Sequence, residues 1–131
     1  MKTVLFVCVG NSGRSQMAEA FFNHMAGGKA RAISAGTKPA SAVDPQTVEV
    51  MREVGIDIGA AKPKALTMEM VEQADRVVTM GCGAEGVCPT SFVETEDWQL
   101  EDPKGKSLEE VRQIRDEIRT RVMMLLERTK A

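Results

Sequence analysis

The sequence predicts an α/β fold, a single three-layer domain with a four-stranded parallel sheet. Three observations predict it. The first two are that strand-like apolar runs alternate with helical patterns along the chain, and that no internal repeat or low-complexity segment interrupts that alternation. The third observation is length, because 131 residues suffice for one well-formed core but not for several. We therefore expect residues 1–131 to form one domain.

Four strands and four helices are expected. The strands cover 3–9, 30–35, 76–80 and 92–94. The helices cover 14–26, 45–54, 67–74 and 108 to the C-terminus. Asp44 and Pro45 are typical of an N-cap and a first helical residue, and Gly55 stops that helix. Ser107 and Glu110 have the spacing of a capping box, which predicts the start of the last helix.

Composition excludes several classes of function. The formal net charge is −2, so no basic field indicates a nucleic acid or a membrane surface as partner. No apolar run approaches the length of a membrane span and no signal peptide is recognisable, so we expect a cytoplasmic protein. Three cysteines fit poorly with a permanent disulfide framework, and a single histidine argues against a metal site. We expect neither metal nor cofactor.

The segment from Cys8 to Ser15 carries the strongest functional signal. It follows the first strand and precedes the first helix, and reads Cys8-Val9-Gly10-Asn11-Ser12-Gly13-Arg14-Ser15. Loop N–H groups and a helix N-terminus together form an anion-binding nest, and Arg14 can offer its planar guanidinium to two oxygens of a tetrahedral oxyanion. The same positive environment favours a cysteine thiolate. The pattern therefore predicts that Cys8 is a nucleophile at the floor of an oxyanion site.

Two further segments are expected at the same edge of the sheet. The loop 81–91 contains Cys82 and Cys88 with three glycines, and we interpret it as mobile. Asp102-Pro103 follows the last predicted strand. In parallel sheets, ligands bind outside the carboxyl ends of the strands, where all three segments would meet. By themselves, Cys82 and Cys88 could be ordinary loop cysteines, and Asp102 a turn residue.

The Cys8-x5-Arg14-Ser15 loop, with Asp102-Pro103 late in the chain, resembles the low-molecular-weight phosphotyrosine phosphatase superfamily. The resemblance to its thioredoxin-coupled arsenate reductases is closer and runs the length of the chain. It is carried by 10–19, Ser34-Ala35-Gly36, 54–58, Ala74-Asp75, 96–98 and 115–118. It implies a low-molecular-weight phosphatase-like fold, an oxyanion site formed by residues 9–15, and Asp102 as general acid.

The resemblance also implies a role for the other two cysteines. Cys8 would attack arsenate, Cys82 would attack the Cys8 sulfur and release arsenite, and Cys88 would move the disulfide to where thioredoxin reaches it. Phosphate or sulfate could occupy the same loop. Some relatives bind a monovalent cation beside the loop through residues that resemble Asn11, Glu19 and Ser34, and the ammonium of Lys64 is a candidate to replace that cation here.

Three alternatives remain open at this point. A low-molecular-weight protein tyrosine phosphatase would use Cys8, Arg14 and Asp102 alone. The absence of tyrosine and the sequence Lys104-Gly105-Lys106 after the Asp-Pro pair disfavour it, since such phosphatases place aromatic residues there. An arsenate reductase could instead use glutathione or mycothiol as the electron donor. A non-catalytic oxyanion-binding module is the third reading.

Overall fold

A computed structural model describes residues 2–80, 94–98, 100, 101, 103 and 105–130 of the chain. In chain order its elements are β1 (Lys2–Cys8), α1 (Arg14–Ala26), β2 (Ala30–Gly36), α2 (Pro45–Arg52), α3 (Met68–Gln73), β3 (Arg76–Thr79), β4 (Glu94–Asp97) and α4 (Leu108–Lys130). The strand order in the sheet is β2-β1-β3-β4, and all neighbouring strands are parallel. The predicted α/β fold with a four-stranded parallel sheet is confirmed.

Strand β1 is a central strand of the sheet and is buried on both faces. Val4, Phe6 and Cys8 face the larger cluster, to which helices α1, α2 and α4 contribute. Leu5 and Val7 face a smaller cluster that α3 covers. Alternate side chains of one strand therefore belong to different layers, as expected for a parallel sheet between helices.

The predicted helix ends are formed by the expected hydrogen bonds. The Asp44 carboxylate accepts a hydrogen bond from the Gln46 amide at 3.0 Å, which caps α2. The Ser107 amide donates to Glu110 Oε1 at 3.1 Å, and the Glu110 amide donates to Ser107 Oγ at 3.2 Å. This reciprocal pair satisfies two amides at the start of α4 that have no partner within the helix. The capping-box prediction is confirmed.

Two element boundaries differ from the sequence prediction. The fourth strand spans Glu94–Asp97 rather than 92–94, of which 92 and 93 lie outside the described residues. Its sequence Glu-Thr-Glu-Asp has no apolar alternation, so it is a strand because β3 pairs with it. Helix α2 ends at Arg52, two residues early, because the amides of Val54 and Ile56 both bond the Met51 carbonyl. The chain has left the helix before Gly55 is reached.

Trp98 fixes the chain where it leaves β4. The indole ring is 2% exposed and packs on Phe6 with ring centroids 5.7 Å apart. Its Nε1 donates to Glu96 Oε2 at 2.6 Å, and Arg128 Nη2 donates to the same oxygen at 3.1 Å. Burial raises the pKa of Glu96, but the hydrogen bonds from Arg128 and Trp98 lower that pKa below its ordinary value. The segment after β4 therefore starts from a rigid anchor.

Across the described ranges, no helix combines the length and the apolar character needed to cross a membrane.

Candidate oxyanion site

The loop between β1 and α1 wraps around the sulfur of Cys8. Cys8 is the last residue of β1 and is 2% exposed. The Asn11 amide donates to Cys8 Sγ at 3.2 Å, and Ser15 Oγ lies 2.8 Å from the same sulfur. When Cys8 is a thiolate it has no proton to give, so Ser15 is then the donor. Two hydrogen-bonding groups are therefore directed at the sulfur from the loop and from the start of α1.

The carbonyls of the loop are held away from the sulfur. Those of Cys8, Val9, Gly10 and Ser12 accept hydrogen bonds of 2.8–3.1 Å from the amides of Thr37, Lys38, Ala40 and Asp44. The C=O and N–H of a trans peptide unit point in opposite directions, and none of the described peptides is cis. The N–H groups of the same four peptide units consequently point to the inner side of the loop. This is the arrangement that binds an anion.

The side chain of Asn11 fixes the loop from below. Its backbone φ is +50°, in the left-handed region that asparagine tolerates better than most residues. Asn11 Nδ2 donates to Ser15 Oγ at 2.6 Å and to Ser34 Oγ at 3.0 Å. Its Oδ1 accepts from Gln16 Nε2 at 3.1 Å and from the Lys64 amide at 2.8 Å. The side chain is fully buried, and all its hydrogen-bonding capacity is used.

Gly36 allows the loop to approach the end of β2. A Cβ built on Gly36 would lie 2.6 Å from the Val9 carbonyl oxygen and 3.0 Å from the Asn11 amide nitrogen. Both atoms are backbone, so neither can turn aside as a flexible side chain would. Any other residue at position 36 would push the loop away from the sheet.

Arg14 connects this loop to the segment that follows β4. The side chain is buried, and its Nη1 donates to the Leu100 carbonyl at 3.3 Å. A planar guanidinium with one edge held in this way keeps a defined orientation toward the cavity. In the sequence, Leu100 precedes and Pro103 follows the predicted general acid, Asp102. Asp102 itself lies outside the described residues, as do Cys82 and Cys88.

A cavity of about 270 Å³ opens above the loop. Its lining residues are Cys8, Val9, Gly10, Ser12, Gly13, Arg14, Lys38 and Ala40. The structure thus brings the predicted Cys8, Arg14 and most of the loop residues to one cavity, while Asn11 and Ser15 lie beneath it as supports. A larger groove of about 380 Å³ between β4 and α4 contains none of these groups.

The sequence reasoning missed two residues near the site. Lys38 lines the cavity from the segment after β2, and its charge is the only signal that could have indicated this. Gln16 is 1% exposed and bridges Asn11 Oδ1 to the Lys62 carbonyl, which Nε2 reaches at 3.1 Å. A fully buried glutamine at the start of a helix is recognisable only once the fold is known.

Lys64 lies beside the loop, as the resemblance implied. Its Nζ is 3.4 Å from Glu19 Oε1, and its amide bonds Asn11. Ser34 is on the opposite side of Asn11. The ammonium therefore contacts Glu19, one of the three residues considered as cation ligands, while the backbone of Lys64 contacts Asn11, the second of them. Within the described part of the chain, no cluster of three or more His, Cys, Asp or Glu residues could hold a metal ion.

The fold and loop define a class: α/β proteins with a Cys-x5-Arg anion loop between the first strand and the first helix. The chain belongs to the low-molecular-weight phosphotyrosine protein phosphatase family, whose model matches residues 3–131. An arsenate reductase of Brevibacillus brevis is 40% identical over 128 residues, covering 96% of this chain and 95% of the relative.

Two solved structures illustrate the range of this family. The thioredoxin-dependent arsenate reductase of Corynebacterium glutamicum superposes with a TM-score of 0.85 at 39% identity. That match covers 99% of this chain, which spans only 62% of the length of that protein. A low-molecular-weight protein tyrosine phosphatase of T. tengcongensis superposes with a TM-score of 0.87 at 29% identity, covering 98% and 99% of the two chains. The predicted resemblance to arsenate reductases of this superfamily is confirmed.

Proposed function

We propose that this protein reduces arsenate to arsenite, with Cys8 as nucleophile and with Cys82 and Cys88 as a disulfide relay that thioredoxin regenerates. The arrangement around Cys8 carries the proposal. Its sulfur lies at the floor of a cavity, the Asn11 amide donates to it, and the loop carbonyls are bonded outward. This arrangement suits attack by a thiolate on a tetrahedral oxyanion.

In the first step the Cys8 thiolate attacks arsenic, a sulfur–arsenic bond forms, and one arsenic–oxygen bond breaks, which gives a cysteine–arsenate adduct. The amides of the loop 9–15 and the guanidinium of Arg14 hold the remaining charged oxygens. Asp102 supplies the proton with which the departing oxygen leaves as water. Phosphate has the same shape and charge, and we expect it to compete for the same loop.

The second step is the reduction. The Cys82 thiolate attacks the Cys8 sulfur, the sulfur–arsenic bond breaks, and its electron pair goes to arsenic. Arsenic(V) thereby gains two electrons and leaves as arsenite, while the two thiolates become a Cys8–Cys82 disulfide. Cys88 then attacks Cys82, releases the Cys8 thiolate and leaves a Cys82–Cys88 disulfide. A thioredoxin dithiol then reduces the Cys82–Cys88 disulfide and is itself oxidised to a disulfide, which closes the cycle.

The end of β3 supports a role for Cys82. The Met80 amide donates to the Val7 carbonyl at 2.7 Å, so the chain leaves β3 beside the residue that precedes Cys8. Cys82 is two residues further on, a span of at most about 7 Å for an extended chain. Cys88 is six residues beyond Cys82, so chain length allows a disulfide to be passed outward.

Thioredoxin as donor is supported by the Corynebacterium glutamicum relative, which is described as thioredoxin-dependent. Phosphate as a competitor is supported by a second structural relative, an arsenate reductase in a phosphate-binding state, which is 35% identical with a TM-score of 0.82. Both covered segments include the loop 8–15, because the matches span 99% and 98% of this chain.

The decisive experiment compares two serine variants in single turnover and in cycling. With arsenate and no external reductant, Cys88→Ser should release about one equivalent of arsenite, because only Cys8 and Cys82 are needed. Cys82→Ser is the matched control and should release none. With thioredoxin, thioredoxin reductase and NADPH, the wild type should cycle, whereas Cys88→Ser should stop after the first turnover.

Other outcomes identify the alternatives. Sustained turnover of Cys88→Ser with glutathione or mycothiol would replace the three-cysteine relay by a mechanism with a small thiol. Hydrolysis of an aryl phosphate without any arsenite production would assign a phosphatase instead. Oxyanion binding with no turnover of either substrate would leave only a binding module. Each of these results would overturn the proposal.

A further inference from the structure

The segment after β2 runs along the outer side of the anion loop. The amides of residues 37, 38 and 40 donate at 3.1, 2.8 and 2.9 Å to three successive loop carbonyls, those of Cys8, Val9 and Gly10. Gly36 has no side chain, which lets the two backbones approach this closely. The backbone of Lys38 is restricted further, because Pro39 follows it and a residue before proline favours extended conformations. The backbone of Lys38 is therefore held in place relative to the loop.

Lys38 brings a second positive charge to the cavity above Cys8. Its amide is bonded to the Val9 carbonyl, and the residue lines the cavity together with Arg14. Among the described residues that line this cavity, Arg14 and Lys38 are the charged ones, and both are cationic. The flexible four-carbon stem of a lysine lets its ammonium adjust to a ligand. An anion in the cavity is therefore exposed to the field of two cations.

The two cations differ in how they act on a bound anion. Arg14 is 5% exposed and its Nη1 donates to the Leu100 carbonyl, so its guanidinium offers hydrogen bonds of defined direction. Lys38 is exposed, so its ammonium is hydrated and acts chiefly through its charge. The Coulomb energy of a ligand near that ammonium is proportional to the charge of the ligand, whereas a directed hydrogen bond depends on where the ligand's oxygens lie. Lys38 thus adds selection by charge to a loop that selects by shape.

Lys64, the other lysine beside the loop, is placed differently. Its ammonium lies 3.4 Å from a carboxylate oxygen of Glu19, so its charge is paired within the protein. Its amide bonds the side chain of Asn11, which lies beneath the loop, and Lys64 is not among the residues that line the cavity. Its ammonium is therefore a poorer candidate than Lys38 for selecting the anion.

We propose that Lys38 is a specificity-determining residue, which makes the oxyanion site prefer small tetrahedral dianions to monoanions of the same shape. Arsenate, phosphate and sulfate in their dianionic forms belong to the preferred class. The inference rests on the proposed function for the substrate, arsenate, but the preference for dianions applies to any tetrahedral anion in the loop.

The test compares two tetrahedral anions of similar size. Sulfate carries two negative charges, and methanesulfonate carries one, because a methyl group replaces an oxygen. Binding is followed by NMR, from the shifts of the Gly10 and Gly13 amide signals during titration at a constant ionic strength of about 0.1 M. Loss of one exposed positive charge should weaken binding about 3-fold for each charge on the ligand. Lys38→Met should therefore weaken sulfate binding about 10-fold and methanesulfonate binding about 3-fold.

Two control variants separate local charge from other effects. Lys38→Arg keeps the charge and should leave both affinities within about 2-fold of wild type. Lys29→Met removes the same charge from an exposed lysine at the opposite end of β2, a strand of 7 residues that spans about 20 Å. The Debye length is about 10 Å at 0.1 M, so Lys29→Met should change either affinity by less than about 1.5-fold.

Three results would overturn the inference. Equal losses of sulfate and methanesulfonate affinity in Lys38→Met would show that the side chain supports the shape of the loop. Equal losses in Lys38→Met and Lys29→Met would assign the effect to net charge. A wild-type loop that binds neither anion would have no preference to explain.

Arsenate kinetics distinguishes this inference from the proposed function. If the wild type produces arsenite, Lys38→Met should raise KM for arsenate about 10-fold and leave kcat within about 2-fold, because the charge acts on binding of the free dianion. A lower kcat with unchanged KM would overturn the inference. If the wild type produces no arsenite, the proposed function fails, and the NMR titration still decides whether Lys38 selects dianions.

Discussion

At position 11, a glycine variant should be more stable than an alanine variant, which is the reverse of the usual order. Both Asn11→Ala and Asn11→Gly remove the four hydrogen bonds of the side chain. They differ in the backbone, because φ at this position is +50°. Glycine adopts that conformation freely, whereas an L-residue with a Cβ is strained there. Asn11→Gly should therefore be the more stable variant, although glycine ordinarily destabilises a folded chain.

The magnitude follows from the contacts. A net hydrogen bond contributes about 1 kcal/mol, and leaving a buried donor without an acceptor costs about 1–3 kcal/mol. The hydroxyls of Ser15 and Ser34 can rotate to other partners, but the Lys64 amide cannot. We expect both variants to lose about 3 kcal/mol of unfolding free energy from the hydrogen bonds, and Asn11→Ala about 1 kcal/mol more from backbone strain. Either loss is a large part of a typical domain's 5–15 kcal/mol.

Urea unfolding followed by fluorescence measures these free energies, because Trp98 is the only tryptophan. Asn23→Ala is the matched control: Asn23 also bonds backbone atoms, at 2.8 and 3.1 Å to Ala32, but from helix α1 and away from Cys8. Asn23→Ala should lower the free energy of unfolding by about 1–2 kcal/mol and keep arsenate turnover. Both Asn11 variants should lose arsenate turnover. Equal stability of the two Asn11 variants, or a more stable alanine, would refute the reasoning from φ.

Three further perturbations test other parts of the structure. Arg14→Lys keeps the charge but loses the planar fork and the bond to Leu100, so arsenate affinity should fall about 10- to 100-fold in steady-state kinetics; a change below 3-fold would contradict this. Glu96→Gln should be less stable than wild type at neutral pH. Because the pKa of Glu96 is lowered by folding, that difference should shrink as pH falls below about 4.5, where the unfolded carboxylate protonates first. A difference that persists undiminished at pH 3 in urea unfolding would exclude the ion-pair explanation. Lys64→Met leaves the Glu19 carboxylate without its ammonium, so phosphate inhibition should weaken about 5-fold in a sodium-free, potassium-free buffer and recover with added potassium. Phosphate inhibition of Lys64→Met that does not change when potassium is added would mean that the ammonium does not occupy a cation position.

Local signals predicted most of the fold. The start of α2 at Asp44-Pro45 and the capping box at Ser107 are short-range hydrogen-bond patterns, and such patterns can be read from neighbouring residues alone. The fourth strand could not be placed in the same way. Its four residues are polar or charged, and they are extended because β3 offers a row of hydrogen-bonding groups. An edge strand of this kind is determined by its partner.

The site residues also separate into those that local sequence predicts and those that depend on distant segments. Cys8 and Arg14 were recognisable because the loop pattern itself encodes an anion nest. The roles of Gln16 and Lys38 could not be recognised from the sequence, since both roles depend on which distant segment lies beside these residues. Gln16 reaches a carbonyl 46 residues away, and Lys38 comes to the cavity because its amide bonds the Val9 carbonyl. A Cβ built on Gly13 would lie 2.8 Å from Pro103 Cγ, and this close approach of the loop to the segment after β4 is likewise a property of the folded chain.

The hydrogen bonds that shape the anion loop join residues far apart in sequence, and this has a kinetic consequence. Lys64 and Asn11 are 53 positions apart, and Leu100 and Arg14 are 86 positions apart. Closing loops of that length costs entropy that local elements cannot offset until the sheet is assembled. The nest should thus be among the last parts of the chain to become ordered during refolding. Recovery of phosphate binding would lag behind recovery of helical circular dichroism, so that a nascent or damaged chain could regain its helices without regaining a reactive cysteine.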